Sequence, residues 1–238
     1  MGFEIFHTVN CGLYIRSGDT VVLVDGLFEK IEGFSDTPTA IKEQLSEQTG
    51  MFSRLDAAIF THRHPDHFSG ELVDKLLKYP EPPAIWWPGA EHSALRMEER
   101  SPGLCAANIG GIEIFALDTV HDGPQYRDVP HRSFLLRADG ETMFIAGDAK
   151  LGLRESGLLS GFAPADTGFF MFYQLNSRAG RDFVRDMGFK NVMLYHMPMP
   201  EDDVFGYGRL AKRLPDRFPE GLPAPQIPAP MSWLNGIG

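Results

Sequence analysis

The segment LDAAIFTHRHPDHFSG, residues 55–70, constrains this chain more than any other. Its first half is a short apolar run of the kind that forms a strand buried on both faces. The second half crowds His62, His64, Asp66 and His67 together, in a chain with only eight histidines. His62 and His64 alternate by two at the strand end, so both project the same way. Pro65 restrains the backbone as it turns. Asp66 and His67 then lie on the turn into a helix and face a neighbouring position. Neutral imidazole and carboxylate are ligands for borderline and hard divalent ions. The spacing therefore predicts one metal at His62 and His64, and a second at Asp66 and His67. A solvated polar turn containing Arg63 is the competing reading, but this His-x-His-x-Asp-His spacing seldom arises by chance.

The flanking sequence supplies a scaffold. FEIFHTV and GLYIRSG read as strands, with a turn at Gly18-Asp19 leading into TVVLVDG. Thr37-Pro38 opens a helical stretch to about Gly50. After the histidines, Phe68, Leu72, Val73, Leu76 and Leu77 mark one helical face, which ends at Tyr79-Pro80. AIWWPG is a short strand, Ala90 to Arg100 reads as helix, and GIEIFALDTV as strand. SFLLRADGETMFIAGD is a hairpin turning at Asp139-Gly140. Asn176 to Met187 is helical, NVMLYH is a strand, and Asp202 to Leu214 reads as the last main helix. Alternating strands and helices with hairpins between them predict two mixed sheets with helices outside. The expected boundaries are one domain over residues 1–214 and a Pro-rich tail over 215–238, either anchored on the body through Trp233 or loosely held.

Composition removes several function classes. The net charge of −10 disfavours nucleic acid as a partner. No apolar run is long enough to span a bilayer, so no membrane partner is expected. The N-terminus lacks the basic and apolar regions of a secretory signal. Two cysteines exclude a disulfide scaffold, and the expected location is cytoplasmic. The oligomeric state is left open.

THRHPDH resembles the signature of the metallo-β-lactamase-fold superfamily. Further landmarks recur in order along nearly the whole chain: VLVDG places Asp25, FIAGDAK places Gly147 and Asp148, and LYHMP places His196. The resemblance implies a four-layer αβ/βα sandwich holding two divalent metal ions. Zinc is the default, and iron or manganese fit the same ligands. The implied ligands are His62, His64 and His121 for one ion and Asp66, His67 and His196 for the other, with Asp148 shared. His131 is the alternative to His121, which is preferred because it sits in a loop just past a strand. No cysteine is in the set. Asp25 is expected to support the ligand loop through hydrogen bonds. His7 is read as an ordinary core or surface histidine, His92 as an exposed helical one, Lys150 as a surface lysine, and GFFMFY (168–173) as a core segment.

The implied activity is a metal-dependent hydrolase of a small-molecule ester, thioester, lactone, amide or phosphoester. The nucleophile would be a hydroxide bridging the metals, with Asp66 as catalytic proton acceptor. The alternatives are an iron-dependent oxidoreductase of the same fold and an RNA- or phosphodiester-cleaving member.

Overall fold

The computed structural model describes residues 2–90 and 94–234. Two mixed sheets stack face to face. The first has strand order β13-β1-β2-β3-β4-β5, with β1 Glu4–His7, β2 Leu13–Ser17, β3 Thr20–Val24, β4 Ala57–Ile59, β5 Ala84–Trp86 and β13 Ser232–Leu234. The second has order β12-β11-β10-β9-β8-β7-β6, with β6 Glu98–Ser101, β7 Leu104–Ile109, β8 Ile112–Val120, β9 Pro130–Ala138, β10 Glu141–Ile145, β11 Thr167–Phe170 and β12 Asn191–Leu194. Pairs β3·β4, β4·β5, β10·β11 and β11·β12 are parallel and the rest antiparallel.

Three apolar layers hold the sandwich together. Between the sheets lie Ile15, Val24, Ile59, Phe134, Ile145, Phe169 and Tyr195, all essentially buried. Outside the first sheet, helices α1 (Thr39–Glu47) and α2 (Gly70–Leu76) press Ile41, Leu45, Leu72 and Val73 onto Leu23 and Phe60. Outside the second lie α3 (Leu153–Leu158), α4 (Phe172–Asn176), α5 (Arg178–Met187) and α6 (Tyr207–Ala211), with Leu175, Phe183 and Ala211 packed among Phe144, Phe170 and Leu194. This is the expected four-layer αβ/βα order.

Three local expectations are corrected. Ala90–Arg100 is not one helix: Glu98–Ser101 pairs with β7, and His92 lies outside the described residues. The last helix contracts to Tyr207–Ala211, because Gly206 at φ 72° leaves helical geometry immediately before it. Leu77 is 53% exposed rather than on the buried face of α2, which ends one residue earlier. His7 is fully buried between the carbonyls of Ala229 and Asn10. The Pro-rich tail crosses the edge of β12 at Gln226 and ends as β13 on β1, where Trp233 meets Phe6 and Tyr14 edge-on.

Candidate metal centre

The ligand segments all leave their strands at one edge of the sandwich. Asp25 ends β3 in a left-handed conformation, φ 46°. That turns its buried carboxylate onto the segment following β4. Oδ1 accepts the Thr61 N–H at 2.7 Å, and Oδ2 accepts the Thr61 hydroxyl at 2.7 Å and His67 Nδ1–H at 2.9 Å. The Thr61 hydroxyl, having given its proton to Asp25, accepts His62 Nδ1–H at 3.0 Å. Asp25 thus holds the Nδ1 side of both rings, directly for His67 and through Thr61 for His62, and turns Nε2 of each toward the centre. His121 behaves alike, its Nδ1–H donating to Asp122 O at 2.6 Å. Arg63, between the first two histidines, points away and lies over the rings of Phe68 and Trp87.

The free nitrogens converge. His64 Nδ1 lies 2.9 Å from His62 Nε2 and 3.1 Å from His121 Nε2. A proton on His64 Nδ1 can serve only one of these contacts, so at least one sets lone pair against lone pair. His67 Nε2 and His196 Nε2 approach to 2.6 Å. Asp148 spans both places: Oδ1 is 3.0 Å from His67 Nε2 and 3.5 Å from His196 Nε2, while Oδ2 is 3.5 Å from His121 Nε2. Asp148 Oδ1 and His196 Nδ1 are buried with no hydrogen-bond partner among the described residues. Lone pairs facing one another beside an orphaned carboxylate oxygen are the donor set a cation satisfies.

Two groups of ligand atoms result, each within 4.8 Å: His62, His64, His121 and Asp148; and Cys11, His67 and His196. The arrangement is a dinuclear metal site. Cys11, absent from the expected set, is fully buried, and its thiol donates to Asp66 O at 3.3 Å. Nothing in the sequence near Cys11 signals this, because it comes from the loop between β1 and β2. Asp66 stands beside the second group, with Oδ2 3.5 Å from His196 Nε2. His131 is drawn elsewhere: its Nε2 accepts the Asp148 N–H at 3.0 Å and its Nδ1 faces Thr119 Oγ1 at 2.7 Å.

Burial keeps most of the imidazoles at the centre neutral, the form that gives a lone pair to a metal. Burial keeps His62 well below the usual imidazole range and lowers His64 and His196. Burial likewise pushes His131 down to about 3, so it is neutral. His67 is the exception. Burial opposes its charging, yet Cys11, Asp148 and Asp25 raise it well above the ordinary value. Burial also pushes the Cys11 thiol up to about 12, so at neutral pH it is uncharged and the two carboxylates carry the effect. Asp148 is held well below the usual carboxylate range; burial opposes this, but His67 and His196 outweigh it.

Aromatic rings rim the site. Tyr126 packs 4.9 Å from both His64 and His121, and Phe34 packs edge-on to His196 at 4.7 Å. Tyr207 stacks on Phe34 at 5.5 Å, and burial, with the charges of Asp66, Asp203 and Asp148, raises its phenol above the ordinary value. Most of 168–173 is core, but Phe172 turns out to meet Tyr207. Lys150 is exposed and lines a cavity of about 130 Å³ with His121 and Arg127.

No protein-family model matches the chain, and no curated protein matches it in sequence. Solved structures do. The isothiocyanate hydrolase from Delia radicum gut bacteria superposes with a TM-score of 0.66 at 15% identity, covering 97% of this chain and 98% of that one. The metallo-β-lactamase fold protein YhfI from Bacillus subtilis gives 0.62 at 17%, covering 99% and 100%. CmlA, a diiron β-hydroxylase from Streptomyces venezuelae, gives 0.65 at 13%, covering 98% of this chain, which spans 54% of CmlA. The chain has the metallo-β-lactamase fold. Within it, the shared Asp148 carboxylate and the two ligand groups at one sandwich edge define a dinuclear centre of that fold.

Proposed function

We propose that this chain is a dinuclear metal-dependent hydrolase of a small-molecule ester, thioester, lactone, amide or phosphoester. The observation that carries the reading is Asp148, whose two oxygens each face a different group of histidines. His62, His64 and His121 would hold one ion and Asp66, His67 and His196 the other, with Asp148 shared and Cys11 flanking the second. Two divalent ions held there would supply Lewis acidity and would lower the pKa of a water toward about 7. The imidazole-rich donor set supports zinc, and it also suits iron or manganese.

The chain's own groups do the rest. Asp66, beside His196, accepts the proton of the attacking water and returns it to the leaving group. Tyr126, Phe34 and Tyr207 exclude bulk water and offer ring faces to an apolar part of the substrate. Lys150 and Arg127, lining the cavity beside His121, suit an anionic part. The net charge of −10 argues against a nucleic-acid substrate, and free Cys11 and Cys105 support a reducing, cytoplasmic setting. Among the described residues no helix is long and apolar enough to cross a membrane.

A second reading has one observation behind it. A diiron β-hydroxylase shares this fold, so an iron-dependent oxidoreductase is the alternative. A panel of aryl and methyl esters, thioesters, lactones, amides and phosphodiesters, offered to zinc- and iron-loaded protein, separates the two. Hydrolysis without oxygen uptake, with aryl members preferred, is expected. Oxygen uptake with iron alone, and no hydrolysis with either metal, would select the oxidoreductase.

A further inference from the structure

The turn Gly147-Asp148-Ala149 carries the carboxylate that both ligand groups share, and its backbone is gripped from several directions. The Gly147 N–H donates to the Tyr195 hydroxyl oxygen at 2.8 Å. The Asp148 N–H donates to His131 Nε2 at 3.0 Å. One amide nitrogen, Gln174 Nε2, donates to Gly147 O at 2.9 Å and Ala149 O at 2.8 Å. Asp148 O accepts the N–H of Asp122, the neighbour of His121, at 2.7 Å. His131, Tyr195 and Gln174 are all buried and come from β9, the end of β12 and α4.

His131 is the most specific of the three. Its Nε2 accepts a backbone N–H, so that nitrogen carries no proton, and Nδ1–H is directed to Thr119 Oγ1. The ring therefore cannot give a lone pair to an ion while it holds the turn. The close approach depends on Gly147, at φ 57°: a Cβ there would lie 2.7 Å from His131 Nε2 and 2.9 Å from Thr61 Cβ.

We propose that His131, supported by Tyr195 and Gln174, is a positioning residue that locks the Asp148 turn so that one carboxylate oxygen faces each ligand group. The inference rests on the dinuclear reading above. A bridging carboxylate must be held to about 0.5 Å and 10–20° to serve two ions at once. Released, it can rotate to favour one group. Losing the imidazole also leaves the buried Asp148 N–H without an acceptor.

The test is zinc binding, measured by competition with a chromophoric chelator, in the wild type, His131→Leu and His131→Gln. Near-UV circular dichroism monitors the fold, and side-chain ¹⁵N spectra report the imidazole tautomer. Removing such supporting partners typically lowers metal affinity by about 10–100-fold. His131→Leu should weaken one zinc equivalent by that factor while keeping the native spectrum. His131→Gln, whose Oε1 can accept the same N–H, should stay close to wild type. The proposal is overturned if His131→Leu binds both ions as the wild type does, or if Gln impairs binding as much as Leu. Should His131→Leu fail to fold, the wild-type spectrum decides: a protonated Nε2 on His131 removes the grip. Wild-type protein that takes up no zinc refutes the dinuclear reading instead, and the tautomer still tests the grip.

Discussion

At the scale of single residues, the centre stores strain and unsatisfied polarity. Asn10, Asp25 and His196 all have positive φ, at 49°, 46° and 62°, and all lie at the ligand edge. Such conformations cost on the order of 1–3 kcal/mol each and persist where surrounding contacts enforce them. Here Asn10 O accepts the His196 N–H at 2.7 Å, and Asp25 is fixed by Thr61 and His67. Asp66 is the residue whose chemistry is most exposed to test. Asp66→Asn keeps size and burial but removes the basic oxygen. Loss of a positioned proton acceptor costs about 10²–10⁴ in turnover. Steady-state kinetics on the best ester of the panel should show a fall of that order, with the melting temperature nearly unchanged. Equal turnover would take Asp66 out of the mechanism.

At the scale of elements, the edge of the first sheet offers a separate prediction. β13 caps β1, and Trp233 packs on Phe6 and Tyr14 under the Arg16 guanidinium. Trp233 is still 43% exposed, so its truncation loses only part of an aromatic burial. Trp233→Ala should cost about 1–2 kcal/mol in denaturant melts and leave turnover intact. An unchanged melt would mean the tail contributes nothing to the body. What the sequence made legible follows the range of the signal. His62 to His67 sit together, so they announced a metal site by spacing alone. His121, Asp148 and His196 are scattered, so only motif resemblance points to them, and the hydrogen bonds that occupy both ring nitrogens of His131 become visible only in the fold. Cys11 gave no signal, because only the fold brings the β1–β2 loop under His67 and His196. The segment around Glu98–Ser101 misled for another reason. Its Met, Glu and Arg residues favour helix, and pairing with β7 overrides that weak preference.

At the scale of the whole molecule, the sandwich explains why candidate ligands so distant in sequence meet. β4 delivers His62, His64 and His67 from the first sheet, while β8, β10 and β12 deliver His121, Asp148 and His196 from the second. Both sheets end their ligand-bearing strands at one edge, and a dense shared core fixes their separation. Structures with this fold include an isothiocyanate hydrolase and a diiron β-hydroxylase, so the scaffold is compatible with more than one chemistry. Elemental analysis of the chain purified without added metal, alongside Asp148→Ala, measures the dinuclear centre itself. About two equivalents per chain are predicted, falling to one or none in the variant. A folded wild-type chain that holds no metal, and takes up none on incubation with zinc, iron or manganese, would contradict it.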